Sequence, residues 1–117
     1  MANITIYHNP KCGTSRNTLP LIQESGFTPQ VVLYLETPPS KLELSSMIQA
    51  SGETVRHFLR ERGTPYQDLD LGNSKWTDEE LINFMMEHPI LINRPIVVTD
   101  KGVCLCRPAE LVLDLLP

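Results

Sequence analysis

The run Ile4-Thr5-Ile6-Tyr7-His8-Asn9-Pro10-Lys11-Cys12-Gly13-Thr14-Ser15-Arg16, followed further on by Val31-Val32-Leu33-Tyr34-Leu35, decides how this chain folds. Ile4 to Tyr7 is a short β-prone run, and His8-Asn9-Pro10 breaks it into a loop. From Ser15 to Glu24 the spacing becomes helical: Leu19, Ile22 and Gln23 follow Thr14-Ser15, and Gly26 supplies a helix stop. Val31 to Leu35 is β-branched and almost continuously apolar, the pattern of a strand buried on both faces. Strand, helix and strand within roughly 30 residues have the size of a parallel crossover unit.

Working outward, Thr37-Pro38-Pro39-Ser40 interrupts the pattern. Ser40 with Glu43 forms a capping box that opens a helix through Leu42, Leu44, Met47 and Ile48. Thr54 to Glu61 reads as a second short helix. Thr77 with Glu80 repeats the capping box, its acids suit a helix N-terminus, and Leu81, Ile82, Met85 and Met86 give an apolar face that Pro89 ends. Ile96-Val97-Val98 and Val103-Cys104-Leu105-Cys106 flank Lys101-Gly102, an antiparallel hairpin signal. Pro108 suits the first position of a final helix over Ala109 to Leu116. The order β-α-β, helices, β-β-α predicts an α/β fold: a thioredoxin-like, four-stranded mixed β-sheet flanked by helices, with a helical insertion in the middle of the chain. One domain over 1–117 is expected, its core about 1–37 and 89–117 and its insertion about 38–88.

The 117 residues are 41% apolar, enough to bury one core without disulfides or metal. A net charge of −4 weighs against a nucleic-acid partner, without excluding a local cationic pocket. No apolar run reaches the roughly 18 residues of a membrane span, and Met1 to Thr5 lacks the pattern of a secretory signal. Three cysteines, an odd number, fit free thiols in a reducing compartment better than a disulfide framework. A cytoplasmic protein is expected.

Cys12 lies between a strand and a helix start, where unpaired N–H groups and the helix dipole stabilise a thiolate and can equally hold an oxyanion. Lys11, Arg16 and His8 could add positive charge. The motif is C-x-x-S, with Ser15 where a dithiol oxidoreductase has its second cysteine, so a redox cycle at Cys12 needs an external thiol. It is not the C-x5-R phosphatase loop, because that position is Thr18. Arg60, Arg94 and Arg107 can bind tetrahedral oxyanions bidentately, although a lone arginine is more often a solvated charge. Arg94 and Arg107 each precede a proline, which puts them at element edges, and Arg94-Pro95 suits a cis bond. Cys104 and Cys106 share a strand face; they read as small buried hydrophobes ahead of a resolving thiol or a metal pair. His8 either biases the ionisation of Cys12 or bonds to the loop backbone. His57 and His88 read as a helix-surface and a helix C-terminal histidine, and Trp76 as packing.

Taken together, the segments Tyr7 to Arg16, His88-Pro89-Ile90-Leu91-Ile92-Asn93-Arg94-Pro95-Ile96-Val97, and Cys106-Arg107-Pro108 with Glu110 resemble the three signatures of the glutaredoxin- and glutathione-coupled arsenate reductases. The resemblance covers roughly residues 3 to 116. It implies Cys12 as the catalytic cysteine, with His8 and Ser15 placed around its thiolate. It also implies Arg60, Arg94 and Arg107 as the oxyanion-binding arginines. No bound cofactor or metal is implied. Arsenate would be the substrate, glutathione the co-substrate and glutaredoxin the protein partner, with no nucleic acid and no membrane involved. The implied cycle passes through an arsenic adduct on Cys12. Members of that family extend beyond the position of Pro117, and Cys104 matches no step of their chemistry. Two other functions fit the same fold: a redox-sensitive transcription regulator that contacts RNA polymerase, which Ser15 in place of a second cysteine disfavours, and a generic glutathione-dependent thiol reductase.

Overall fold

The computed structural model describes residues 3–117, which group into two compact units. One is built from the segments up to Thr37 and from Arg94 onward; the other is Pro38–Asn93. Among the described residues, no helix is long and apolar enough to cross a membrane.

The first unit contains β1 (Thr5–His8), α1 (Gly13–Glu24), β2 (Gln30–Leu33), β3 (Ile96–Thr99), β4 (Gly102–Leu105) and a closing 3₁₀ helix (Ala109–Asp114). The sheet order is β2-β1-β3-β4. β1 runs parallel to β2 and antiparallel to β3, and β3 and β4 form the antiparallel hairpin. This is the mixed thioredoxin-like sheet expected from the order of elements. Along β1 the side chains alternate, so Ile6 and His8 are buried while Thr5 and Tyr7 are half-buried. Ile4, Ile6, Ile22 of α1, Val97 of β3, Cys106, Val112 and Leu116 form one core cluster, each apolar side chain contributing roughly 1.5–3 kcal/mol by burial. Helix α1 presents Ser15, Thr18 and Ile22 inward at helical spacing. It ends at Gly26, whose φ of +94° lets Gly26 and Phe27 donate to the carbonyls of Gln23 and Ile22.

The second unit holds α2 (Lys41–Ser51), a 3₁₀ turn (Arg56–Phe58), α3 (Asp78–Glu87) and a further 3₁₀ turn (Pro89–Leu91). Both capping boxes form in full, at Ser40 with Glu43 and at Thr77 with Glu80. Leu44, Met47, Ile48, Phe58, Leu71, Leu81, Ile82, Met85, Leu91 and Ile92 are buried.

Four local expectations need correcting. β2 is not buried on both faces: it is an edge strand, with Gln30, Val31 and Leu33 exposed and only Val32 half-buried. The doubly covered run is β3, whereas burial near β2 falls on Tyr34, just past the strand. Leu42 does not join the apolar face of α2 and is 77% exposed. It precedes Leu44 by two residues, about 200° around the helix, while Leu44, Met47 and Ile48 keep i, i+3, i+4 spacing. Thr54 to Glu61 does not complete a helix, because the backbone is captured by a long-range bridge between Leu59 and Ile92, with Arg60 N–H donating to Leu91 (2.7 Å) and Asn93 N–H to Phe58 (2.8 Å). The last helix is 3₁₀, stops at Asp114 and has Pro108 as its N-cap.

The core assignment gives two contrasting expectations. Ile22→Ala should cost about 2–5 kcal/mol in urea unfolding, the usual range for truncating a fully buried aliphatic. Leu42→Ala should stay within about 0.5 kcal/mol of the parent. Equal losses would mean that α1 is not packed as described.

Candidate active site

The loop that follows β1 is tied down by its own polar groups. Asn9 accepts the Cys12 N–H on its carbonyl (3.0 Å) and the Lys11 N–H on its side-chain oxygen (3.0 Å). That side-chain bond is an Asx turn of the kind Asn favours before a tight loop. Cys12 is then the N-cap of α1, in extended geometry (φ −95°, ψ 123°), and its carbonyl accepts the Arg16 N–H at 2.9 Å. Ser15, fully buried, pins the helix to the strand: its hydroxyl accepts the Asn9 N–H at 3.0 Å and lies 2.7 Å from His8 Nδ1. Burial lowers the pKa of His8 below its ordinary 6.5, so near neutral pH the ring is uncharged. A neutral ring with Nδ1 unprotonated accepts the Ser15 O–H, which leaves the Ser15 oxygen free to take the Asn9 N–H. His8 therefore adds no positive charge to the site; it orients Ser15.

The Cys12 residue is only 6% exposed. Burial pushes its thiol pKa up, but this is outweighed by the backbone N–H of Ser15, the charge of Arg94, the guanidinium of Arg107 and the backbone N–H of Thr14, and the net shift is downward. Sγ does not close a full side-chain cap on α1, yet it stands where the open N–H groups of the first turn favour an anion. Arg107 Nη1 lies 3.6 Å from Cys12 Sγ and also donates to the Arg94 carbonyl at 3.1 Å, so the backbone of one arginine positions the side chain of the other. Both precede cis prolines: Arg94-Pro95, as expected, and Arg107-Pro108. The cations that act on the sulfur are Arg94 and Arg107; Lys11 and Arg16 are exposed.

The first unit thus brings together Cys12, His8, Ser15, Arg94 and Arg107. Arg60 belongs to the second unit, half-buried beside the Leu59–Ile92 bridge, with its Nε donating to the Arg62 carbonyl at 2.8 Å. Cys106 is fully buried in the core cluster with Cys104 packed against it, and burial drives the Cys106 thiol far above the ordinary range, the behaviour of an inert hydrophobe. His57 is exposed, packing edge-on against Phe58, and His88 caps the C-terminus of α3. Trp76 packs edge-on against Phe84 at 4.9 Å and donates to the Asp70 carbonyl, a structural role. Sequence reasoning passed over Asn9, although an Asn two residues before a loop N–H is a readable turn signal.

The cluster pairs a thiol whose pKa is lowered with two guanidinium groups, an arrangement suited to nucleophilic attack on an electrophile that is itself an oxyanion. Because Arg107 lowers the thiol pKa, Arg107→Ala should raise it. Iodoacetamide alkylation of Cys12 should then follow a pH profile shifted toward alkaline values, with slower labelling at pH 7 than in the parent. An unchanged profile would remove Arg107 from the electrostatics of the site.

The chain matches the ArsC family over residues 7–115. An arsenate reductase of Escherichia coli is 62% identical over 117 residues, covering 100% of this chain and 83% of the relative. An arsenate reductase of Rhizobium meliloti (strain 1021) is 60% identical over 114 residues, covering 97% of this chain and 81% of the relative. Among solved structures, an arsenate reductase from Vibrio cholerae superposes with a TM-score of 0.92 at 46% identity, covering 97% of this chain and 98% of that one. With the thiol, its helix cap and the flanking arginines all lying inside the matched stretch, this chain belongs to the ArsC family.

Proposed function

We propose that the protein is an arsenate reductase that uses Cys12 as nucleophile, with glutathione and glutaredoxin as reductants. The observation that carries the reading is the Cys12 thiol seated at the start of α1, 3.6 Å from the Arg107 guanidinium and within the field of Arg94. High identity to arsenate reductases over the whole chain supports the substrate. Ser15 supports the external thiols, because its hydroxyl is committed to His8 and Asn9 and carries no sulfur with which to resolve a Cys12 disulfide.

In this reading Arg94 and Arg107 neutralise arsenate and orient arsenic toward sulfur, each charge-assisted contact contributing about 1.5–3 kcal/mol. The Cys12 thiolate attacks As(V); a sulfur–arsenic bond forms and an oxygen leaves as water after protonation. Glutathione thiolate displaces a second oxygen in the same way, so arsenic is bonded to both sulfurs and remains As(V). The glutaredoxin thiolate then attacks the glutathione sulfur. A disulfide forms between them, and the electron pair of the broken sulfur–arsenic bond reduces arsenic to As(III), still held on Cys12. Water displaces the thiolate, releasing arsenite and restoring the enzyme. His8 and Ser15 hold the first turn of α1 in place throughout. The cycle uses no resident cofactor or metal, and its thiols fit a reducing compartment such as the cytoplasm.

Cys12→Ser should abolish arsenite production with glutathione and glutaredoxin while leaving the circular dichroism spectrum unchanged; retained turnover would end the proposal. Arg94→Ala should raise the KM for arsenate about 10- to 100-fold, the worth of one charge-assisted contact, against less than about 2-fold for Arg16→Ala. Equal effects would mean that the anion pocket is assigned to the wrong arginines. Reduction of a mixed disulfide with no response to arsenate would favour a generic thiol reductase instead.

A further inference from the structure

The sheet order places the Cys12 loop between two flanks. On one side stand the start of β3 and the end of β4, which bring Arg94 and Arg107 to the sulfur. On the other side stands the end of β2, with Leu33 paired to His8 in parallel register. An oxyanion gripped on the arginine flank leaves the β2 flank for a second reactant. That flank holds a groove of about 350 Å³, within the range of small-molecule sites, lined among others by Asn9, Pro10, Lys11, Leu33, Leu35 and Glu36.

The groove walls are held open. Tyr34 is fully buried, while the neighbours on either side, Leu33 and Leu35, are 38% and 43% exposed. The turn that splays them is fixed by the Glu36 and Thr37 N–H groups donating to the Leu33 carbonyl at 2.9 and 2.8 Å. Two leucines kept in water beside a nucleophile loop, between one cation (Lys11) and one anion (Glu36), make a cleft with apolar walls and charges of both signs. Inorganic oxyanions gain nothing from Glu36. A short zwitterionic peptide does: glutathione carries carboxylates for Lys11, an ammonium for Glu36 and a thiol in between. Lys11 adjoins Cys12 in the chain, one residue step of about 3.8 Å between Cα atoms.

We propose that this β2-side groove seats the glutathione co-substrate, with Lys11 and Glu36 reading its opposite charges and Leu33 and Leu35 packing its backbone. The inference rests on the glutathione step of the function proposed above. Its test is separable, because it needs no turnover. The full chain, labelled with ¹⁵N, is titrated with S-methylglutathione, which has no free thiol. Amide shifts should saturate at Asn9, Lys11 and residues 33–36, and Glu36→Lys and Lys11→Glu should each weaken binding about 3- to 5-fold, the worth of an exposed charge pair. In turnover, Glu36→Gln should raise the KM for glutathione while kcat and the KM for arsenate stay within about 2-fold. Shifts centred on Arg94, Ile96 and Arg107, or none at millimolar ligand, would overturn the assignment. So would a Glu36→Gln enzyme whose glutaredoxin KM rises while its glutathione KM does not, since that marks a protein-docking surface. Loss of arsenate reduction in the parent protein would instead sink the function and leave the binding result standing.

Discussion

A nearly buried sulfur whose pKa is nonetheless lowered sets the terms for the rest of this site. Burial alone would keep Cys12 protonated and inert, as it does Cys106. The balance is tipped by groups already in place before substrate arrives: the open N–H groups of the first turn of α1, and two arginines delivered by the far end of the chain. Since these donors are part of a packed scaffold, little reorganisation would be needed for them to hold a thiolate.

The fold supplies that arrangement through a few long-range ties. Ser15 locks α1 to the end of β1, so the helix cannot swing away from its cap. The parallel β1–β2 and antiparallel β1–β3 pairings put different elements on the two sides of the loop, one cationic and one amphipathic. In the proposed reaction two reactants meet at a single thiol, and such asymmetry would give each a flank suited to its charge. Arg107 illustrates the economy of the design: one nitrogen contacts both the sulfur and the Arg94 carbonyl, so the same contact orders the pocket and biases the thiol.

Much of this was legible from residues alone where the signal is local. The capping boxes at Ser40 and Thr77, the Gly26 stop and the Lys101-Gly102 hairpin each follow from contacts within a few residues. What escaped depends on distant partners. The apolar run at Val31 to Leu35 looks central, yet the order of strands leaves β2 at the edge. Thr54 to Glu61 looks helical, yet pairing with Ile92 draws Leu59 into an extended shape. At the site, Cys12 and its cap could be read from the motif, and so could the arginines before prolines. The neutrality of His8 could not, because a histidine's charge is set by how deeply it is packed. Nor could the exposure of Leu33 and Leu35, which follows from the burial of Tyr34 between them.

Central to the account is a covalent bond between the sulfur of Cys12 and arsenic. Arsenic K-edge absorption of the protein, incubated with arsenate and glutathione and then freed of small molecules by gel filtration, reads the atoms bonded to arsenic directly. The account predicts sulfur neighbours in the parent protein and none in Cys12→Ser. Oxygen neighbours alone in the parent, or sulfur neighbours that persist in the variant, would contradict it.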